Sequence, residues 1–359
     1  MNIKRETILF TGLLLFLGIG LCFSPPLFTA APLQTQPPTA QTAPTPAPST
    51  APEEGTLTEV APALFAITEA GGNGNVAFLV TDEGVIVVDS GETPAAGRAI
   101  LARIRLKTDK PVRYIILTHY HGDHTWGLES FPEAAVVIGQ ENLLRNLKEI
   151  TTKDMKEYPA FLEGLRKDIE KLKKEGSPDL KKVEDRLAAN LREYEPVKDA
   201  QIVFPGITFT TKLSIHLGGQ SVEVIYPGPS HTSGSSVVLF PNQKAVHMGD
   251  MLFVGSHPYI DGRAGSNTAN WLRFLKEVQG WDVEKVIPGH GPLSGKDALQ
   301  KQALYLEELR KEIGAAIAKG LSLEDAKKAV TMEAYKGLKW SDLLVPNVNA
   351  VYKELMAGK

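Results

Sequence analysis

Thr118-His119-Tyr120-His121-Gly122-Asp123-His124 places four potential metal ligands within six residues. The run follows an apolar, β-branched stretch, Val112–Leu117, that reads as a strand. A tight turn at a strand end can aim several side chains at one point. Three of the eight histidines in the chain fall here, with a carboxylate among them. Imidazole is the commonest metal ligand near neutral pH, and a neighbouring carboxylate adds charge and can orient a water. The chain's one cysteine, Cys22, lies in an N-terminal apolar run. No thiolate ligand or disulfide is therefore available to the folded part. His and Asp without Cys suit zinc, with iron or manganese as the other candidates. Surface histidines in a polar turn are the plainer explanation, but four ligand-type residues beside glycines after a buried strand argue against it.

Outward from this loop the chain alternates strands and helices. Val60–Ile67, Asn75–Val80 and Val85–Val88 are short apolar runs separated by Gly-rich turns, which predicts antiparallel strands. Pro94–Leu106 has helical spacing, and Ala134–Ile138 is a further strand. Residues 141–197 differ: they are dense in Lys and Glu, with Leu or Ile at helical intervals. They read as two or three inserted amphipathic helices whose charges form a solvated face. Strands resume at Gln201–Phe204, Thr208–Leu217, Ser221–Tyr226, Ser235–Phe240 and Ala245–Met248. A helix near Asn267–Val278 precedes a strand at Val283–Ile287. From Lys296 onward the pattern is helical: Asp297–Ile317, then Leu323–Val330 with Ser322 as N-cap, then Leu343–Leu355.

The N-terminus has a different texture. Lys4 and Arg5 precede an apolar run from Ile8 to Phe23, with small residues Thr29-Ala30-Ala31 beyond it. Residues 1–31 therefore read as a cleaved secretory signal, with an uncleaved membrane anchor as the rival. A lipidated Cys22 is disfavoured, because Leu21 stands where a small residue is needed. Residues 32–55, rich in Pro, Thr, Ala and Gln, lack apolar periodicity and read as a linker. Export, periplasmic or extracellular, is the expected localisation. The formal net charge of -3 gives no electrostatic case for nucleic acid, and contact with a membrane is expected only through an uncleaved N-terminus. The partner is a small-molecule substrate, with a homodimer left open.

The histidine run resembles the His-x-His-x-Asp-His signature of the metallo-β-lactamase superfamily. Four further stretches resemble later and earlier landmarks of that family, in order: Val87-Val88-Asp89-Ser90-Gly91, Gly228-Pro229-Ser230-His231-Thr232, Met248-Gly249-Asp250-Met251-Leu252-Phe253 and Pro288-Gly289-His290-Gly291. The resemblance spans about residues 58–295. It implies an α/β fold, the αββα four-layer sandwich, over residues 56–295, with the 141–197 helices inserted and a helical extension at 296–359. It also implies two divalent metal ions, most readily Zn2+. His119, His121 and His231 would hold the first, Asp123, His124 and His290 the second, and Asp250 would bridge them. Asp89 would accept a hydrogen bond from a ligand histidine and fix its ring. Asp123 and Asp250 would be catalytic, in a hydrolase that cleaves an ester, thioester, lactone or lactam bond with a metal-activated hydroxide. Tyr120, Trp126 and His257 are the candidate substrate contacts, while His216 and His247 read as structural.

Departures within the family narrow the choice. Phe253 stands where β-lactamases place a Lys for the substrate carboxylate and where lactonases tend to place a Tyr. Gly255-Ser256-His257-Pro258 replaces the segment expected of glyoxalase-type thioesterases. The texture is most similar to exported members related to the quinoprotein-relay and sulfur-oxidation hydrolases. β-Lactamase activity proper and a mononuclear iron persulfide dioxygenase remain as alternatives.

Overall fold

The computed structural model describes residues 55–69 and 74–358. The expected signal or anchor at 1–31, and all but Gly55 of the expected linker, lie outside the described residues. Among these, one sheet holds β1 (Thr56–Ala61), β2 (Leu64–Thr68), β3 (Val76–Val80), β4 (Val85–Val88), β5 (Val112–Ile116), β6 (Val136–Gln140) and β7 (Ile207–Phe209), in that spatial order. Pairing is antiparallel from β1 to β4 and parallel from β4 to β7. The second sheet holds β8 (Lys212–Leu217), β9 (Gln220–Ile225), β10 (Val237–Phe240), β11 (Ala245–His247) and β12 (Lys285–Ile287). Its order is β12-β11-β10-β9-β8, antiparallel except for the parallel β11–β12 pair.

Period-two alternation places the faces. Leu64, Ala66, Ala77, Leu79, Ile86 and Val88 point inward and meet Val222, Val224, Val238 and Phe240 of the second sheet. Phe65, Ile67, Phe78, Val85 and Val87 point outward against Ile100 and Ile104 of α1 (Pro94–Arg105). Both faces are dry, so the strands read as continuous apolar runs. Thr93 caps α1 by accepting from the Ala96 N–H at 3.0 Å, and Pro94 presets its first turn. The helical turn α2 (Gly122–Thr125) follows β5.

The insert comprises α3 (Glu141–Asn146), a π-turn over Leu147–Thr151, α4 (Thr152–Glu175) and α5 (Leu180–Tyr194). Gly176, at φ 60, ends α4, and the Ser177 N–H returns to the Leu172 carbonyl at 3.0 Å. Tyr158 and Leu162 of α4 pack on Trp126 and Val197 in a satellite cluster, and the Tyr158 hydroxyl donates to Asn190 Oδ1 of α5 at 2.7 Å. Glu193 is drawn into this region with Oε2 buried and without a hydrogen-bond partner.

On the far face of the second sheet, α6 (Thr268–Gln279), α7 (Lys296–Ala318), α8 (Leu323–Ala329) and α9 (Leu344–Ala357) share one apolar cluster. Trp271 and Phe274 of α6, Leu306 and Leu309 of α7, and Val348 and Val351 of α9 pack with Val246 and Val286 of the sheet. Each fully buried side chain of this size contributes about 1.5–3 kcal/mol. The helices after residue 295 are thus the fourth layer rather than an appendage.

Three strand expectations are corrected. Val60–Ile67 is a hairpin, not one strand: Pro62 offers no N–H to a ladder, and Ala63 turns with φ 63. Thr208–Leu217 is two strands, β7 and β8, in different sheets. Gln201–Phe204 joins no ladder; Pro205 follows it, and the Gln201 N–H goes to the Glu129 carboxylate at 2.6 Å.

Two outcomes follow from this packing. Leu309→Ala will cost about 2–5 kcal/mol by urea unfolding, in one transition seen alike by circular dichroism and fluorescence; a second, separate transition would mark α7 as independent. Burial, reinforced by Glu92, raises the Glu193 carboxyl to about 8. The folded state therefore resists ionisation that the unfolded chain accepts near pH 4.3. Stability attributable to this group is full below that value and falls as pH rises to about 8. The melting temperature of Glu193→Gln should fall less than that of the wild type between pH 5 and 8.

Candidate metal centre

The ends of both sheets meet at one edge of the sandwich. At the end of β4, Asp89 takes a left-handed turn, φ 64. Its Oδ1 accepts the Thr118 N–H and its Oδ2 the Thr118 hydroxyl, both at 2.8 Å, so the exits of β4 and β5 are tied together. The same Oδ2 lies 2.8 Å from His124 Nδ1. Below α2, the Trp126 ring lies so close to Gly122 that a Cβ there would sit 2.9 Å from it. From the second sheet come His231, beyond β9, Asp250, beyond β11, and His290, beyond β12. Gly249 holds φ 49 before Asp250 and donates its N–H to His247 Nδ1 at 3.1 Å. A Cβ on Gly289 would fall 2.1 Å from Asp250 Oδ1, so only glycine lets these two loops close.

The side chains form two groups sharing one carboxylate: His119, His121, His231 and Asp250, and Asp123, His124, Asp250 and His290. Within each group the ligand atoms all lie within 4.8 Å of one another. Asp250 Oδ2 is 3.5 Å from both His119 Nε2 and His231 Nε2, and 3.1 Å from His290 Nε2. Asp250 Oδ1 is 3.1 Å from His124 Nε2, and Asp123 Oδ2 is 3.2 Å from His290 Nε2.

Four of these histidines spend their other ring nitrogen on an acceptor. His119 Nδ1 faces the Thr118 hydroxyl at 3.0 Å, whose own proton goes to Asp89. His121 Nε2 faces Asp261 Oδ2 at 2.9 Å, His124 Nδ1 faces Asp89, and His231 Nδ1 faces the Tyr259 carbonyl at 2.8 Å. These bonds assign the tautomers and leave each remaining nitrogen as a lone pair turned into the cleft. His121 Nδ1 and His231 Nε2, both acceptors on this assignment, stand 3.2 Å apart. His119 Nε2, His124 Nε2 and Asp250 Oδ1 are buried and make no well-aligned hydrogen bond, although the last two stand 3.1 Å apart. Ring nitrogens and carboxylate oxygens converging away from solvent fit a cation, or in the second group a proton.

The electrostatics agree. Burial holds His119 well below the usual imidazole range and His231 at about 4, so both rings stay neutral. Burial pushes Asp123 and Asp250 up, but the facing histidines outweigh it and hold both carboxyls well below the ordinary range. Burial also pulls His124 and His290 down. The carboxylates opposite outweigh that and carry His124 well above its ordinary value and His290 to about 10. The second group thus holds positive charge strongly, as a proton or as a cation.

Two residues that matter here carried no sequence signal. Asp261 is fully buried, with Oδ2 accepting from the Tyr120 hydroxyl at 2.6 Å and from His121. Its Oδ1 takes the N–H groups of Arg263 and Ala264 at 3.0 and 3.1 Å. Asp261 does for His121 what Asp89 does for His124. The other is Trp340, which lines a narrow cleft with Phe253, Tyr259, His121, Asp123, Asp250 and His290. The expected substrate contacts lie elsewhere. Tyr120 is buried against Asp261, Trp126 lies under the insert, and His257 is buried with Nδ1 2.7 Å from the Tyr305 hydroxyl. Of the two histidines read as structural, His247 is buried behind Gly249, and His216 is exposed on β8.

The family profile Lactamase_B, described as the metallo-beta-lactamase superfamily, matches residues 70–290. The chain belongs to that superfamily. The linear primary-alkylsulfatase of Pseudomonas sp. (strain ATCC 19151) is 25% identical over 232 residues, covering 61% of this chain and 42% of the relative. The metallo-beta-lactamase type 2 of Bacillus cereus is 22% identical over 227 residues, 63% of this chain and 70% of the relative. This chain therefore spans less than half of that alkylsulfatase. Among solved structures, a metallo-beta-lactamase from Pontibacter korlensis aligns with TM-score 0.52 and 19% identity, covering 70% of this chain and 98% of that one. The stereoselective inverting sec-alkylsulfatase Pisa1 from Pseudomonas sp. aligns with TM-score 0.59 and 16% identity, covering 83% and 50%. These likenesses establish the expected αββα sandwich. Superfamily membership and the two His/Asp groups make this a centre that could hold two ions.

Removing the carboxylate of Asp261 should free the His121 ring while leaving every ligand in place. Asp261→Ala is expected to weaken metal binding at the first group by about 10–100-fold. Competition with a chromophoric chelator reads this directly, and an unchanged isotherm would remove Asp261 from the centre.

Proposed function

We propose that this chain is a metal-dependent hydrolase that uses two zinc ions to cleave an ester, thioester, lactone or lactam bond in a small molecule. The observation that carries the reading is the paired ligand set: two converging groups on one shared carboxylate, with unpartnered lone pairs aimed inward. His119, His121 and His231 would hold one ion and Asp123, His124 and His290 the other, with Asp250 between them. When bound, such a pair supplies Lewis acidity toward a carbonyl and a nucleophilic water at neutral pH.

The rest falls to the chain's own side chains. Asp123 enters the cleft as an ionised carboxylate beside His290, placed to orient the attacking water and to take a proton from it. Asp89 and Asp261 keep the rings from rotating, so the geometry is set before substrate arrives. Phe253, Tyr259 and Trp340 exclude bulk water from the reacting bond. The names of the relatives bring sulfate esters and β-lactams into the range to be tested. Phe253, where a cation would be needed for a β-lactam carboxylate, speaks against efficient β-lactam turnover. The complete second group speaks against a mononuclear iron oxidoreductase. The N-terminal run, Lys4 and Arg5 before Ile8–Phe23, supports an exported site of action.

The test is a panel of 4-nitrophenyl esters, a thioester, a lactone, an alkyl sulfate and a cephalosporin, offered to zinc-loaded protein beginning at residue 56. Metal analysis should give two ions per chain. Asp123→Ala should lower kcat/KM by about 10²–10⁴-fold on whichever bond is cleaved. Undiminished turnover in that variant sinks the mechanism, and one iron per chain with persulfide-dependent oxygen uptake would replace it.

A further inference from the structure

The cleft owes its outer wall to the segment between α8 and α9. Lys339 pairs with Ser256 in a parallel bridge. Its N–H donates to the Gly255 carbonyl at 3.0 Å, and its carbonyl accepts the His257 N–H at 2.9 Å. These bonds strap the segment to the loop that follows Asp250. The next residue, Trp340, takes φ 58 and ψ 42. A bulky side chain seldom occupies this left-handed region, and it persists there only where the surroundings impose it. The result is that the indole stands edge-on to His290, with ring centroids 5.1 Å apart and planes at 81°. It meets Phe253 at 6.2 Å, also at 81°. Phe253 in turn lies flat on His290, at 4.9 Å and 12°. Across the cleft, Tyr259 tilts against His121 at 5.7 Å.

Charge is confined to one side of this space. His121, Asp123, Asp250 and His290 form the floor, the three aromatic rings form the walls, and no Lys or Arg among the described residues lines it. A charged substituent away from the scissile bond would lose its hydration and find no counter-charge. The cleft is narrow between these side chains, which limits the part that enters it to a compact group.

We propose that Trp340, together with Phe253 and Tyr259, is the substrate-contacting wall of the cleft, and that the group it receives is compact, apolar and uncharged. This deepens the hydrolase reading and rests on it for the word substrate, but the wall itself is testable without turnover.

Butyrophenone, a neutral ketone that resembles an ester and cannot be hydrolysed, is the probe. Its binding to zinc-loaded protein is measured by calorimetry in wild type, Trp340→Phe and Trp340→Asn. Asn tolerates the left-handed backbone, so the second variant removes the ring while sparing the strap, and equal melting temperatures confirm that both variants fold. Trp340→Asn should weaken binding about tenfold and Trp340→Phe by less than about threefold. Acetylcholine and 3,3-dimethylbutyl acetate, isosteric and differing in charge, test the second half: KM should be about tenfold lower for the neutral ester. Butyrophenone binding that is absent from the wild type, or equal in Trp340→Asn, overturns the wall. A preference for acetylcholine overturns the uncharged group and points to cation–π capture instead. If the butyrophenone pattern holds while no bond in the hydrolysis panel is cleaved, the wall stands and the hydrolase reading falls. If esters are cleaved with a KM indifferent to Trp340, the reverse is true.

Discussion

A single carboxylate, Asp250, stands within 3.5 Å of four histidine nitrogens drawn from loops of both sheets. Nothing in ordinary protein packing brings so many acceptors to one point, because unpaired lone pairs in a dry interior are costly. The arrangement is held open by the bonds behind it. Asp89, the Thr118 hydroxyl, Asp261 and the Tyr259 carbonyl each take the far proton of a ring and turn its lone pair inward. The glycines at 249 and 289 exist for the same convergence, since a side chain at either would strike the loop opposite. The site is therefore a cost imposed on the fold, and the fold is built to bear it.

That origin explains how the sequence could be read. Ligands contributed by one loop lie close along the chain, so the 119–124 run was legible by spacing. His231, Asp250 and His290 each sit in a short Gly-containing loop after an apolar strand, and their order matched a known pattern. Asp89 belonged to the same pattern. Asp261 had no such support: it lies in a Gly-rich loop with Arg263 and Ala264, and only the closed sandwich brings it beneath His121. Trp340 is more remote still, between helices whose apolar spacing said nothing about the cleft. The strand errors have a similar cause. The apolar run from Val60 to Ile67 continues through the turn at Ala63, and alternation from Thr208 to Leu217 continues through the step from one sheet to the other. Period two reports which residues are buried and is blind to where a strand changes partner.

The insert and the C-terminal helices engage the centre unequally. The insert reaches it from behind: Trp126 lies between α4 and Gly122, and Asp154 of α4 pairs with Arg263, two residues after Asp261. Its outer faces carry i,i+3 and i,i+4 ion pairs that are largely solvated and contribute little each. The C-terminal helices are fused to the second sheet through one apolar cluster and carry the strap that ends at Trp340. One wall of the cleft is thus set by a segment that lies well beyond the last candidate ligand, His290, in sequence.

Because the first sheet supplies His119, His121, Asp123 and His124, and the second supplies His231, Asp250 and His290, neither half holds a complete group. Ions held there would bind with full strength only once the sandwich has closed, so their binding free energy would add to the stability of the closed form and not to that of either half. The converse also holds. Without ions, the ionised Asp123 and Asp250 attract protons onto His124 and His290, which relieves the second group. The first group has only the shared Asp250 as carboxylate, and burial keeps His119 and His231 neutral. His119 and His231 then keep their inward lone pairs without that relief. It is around this group that Asp261 and the Tyr259 carbonyl hold the His121 and His231 rings in place.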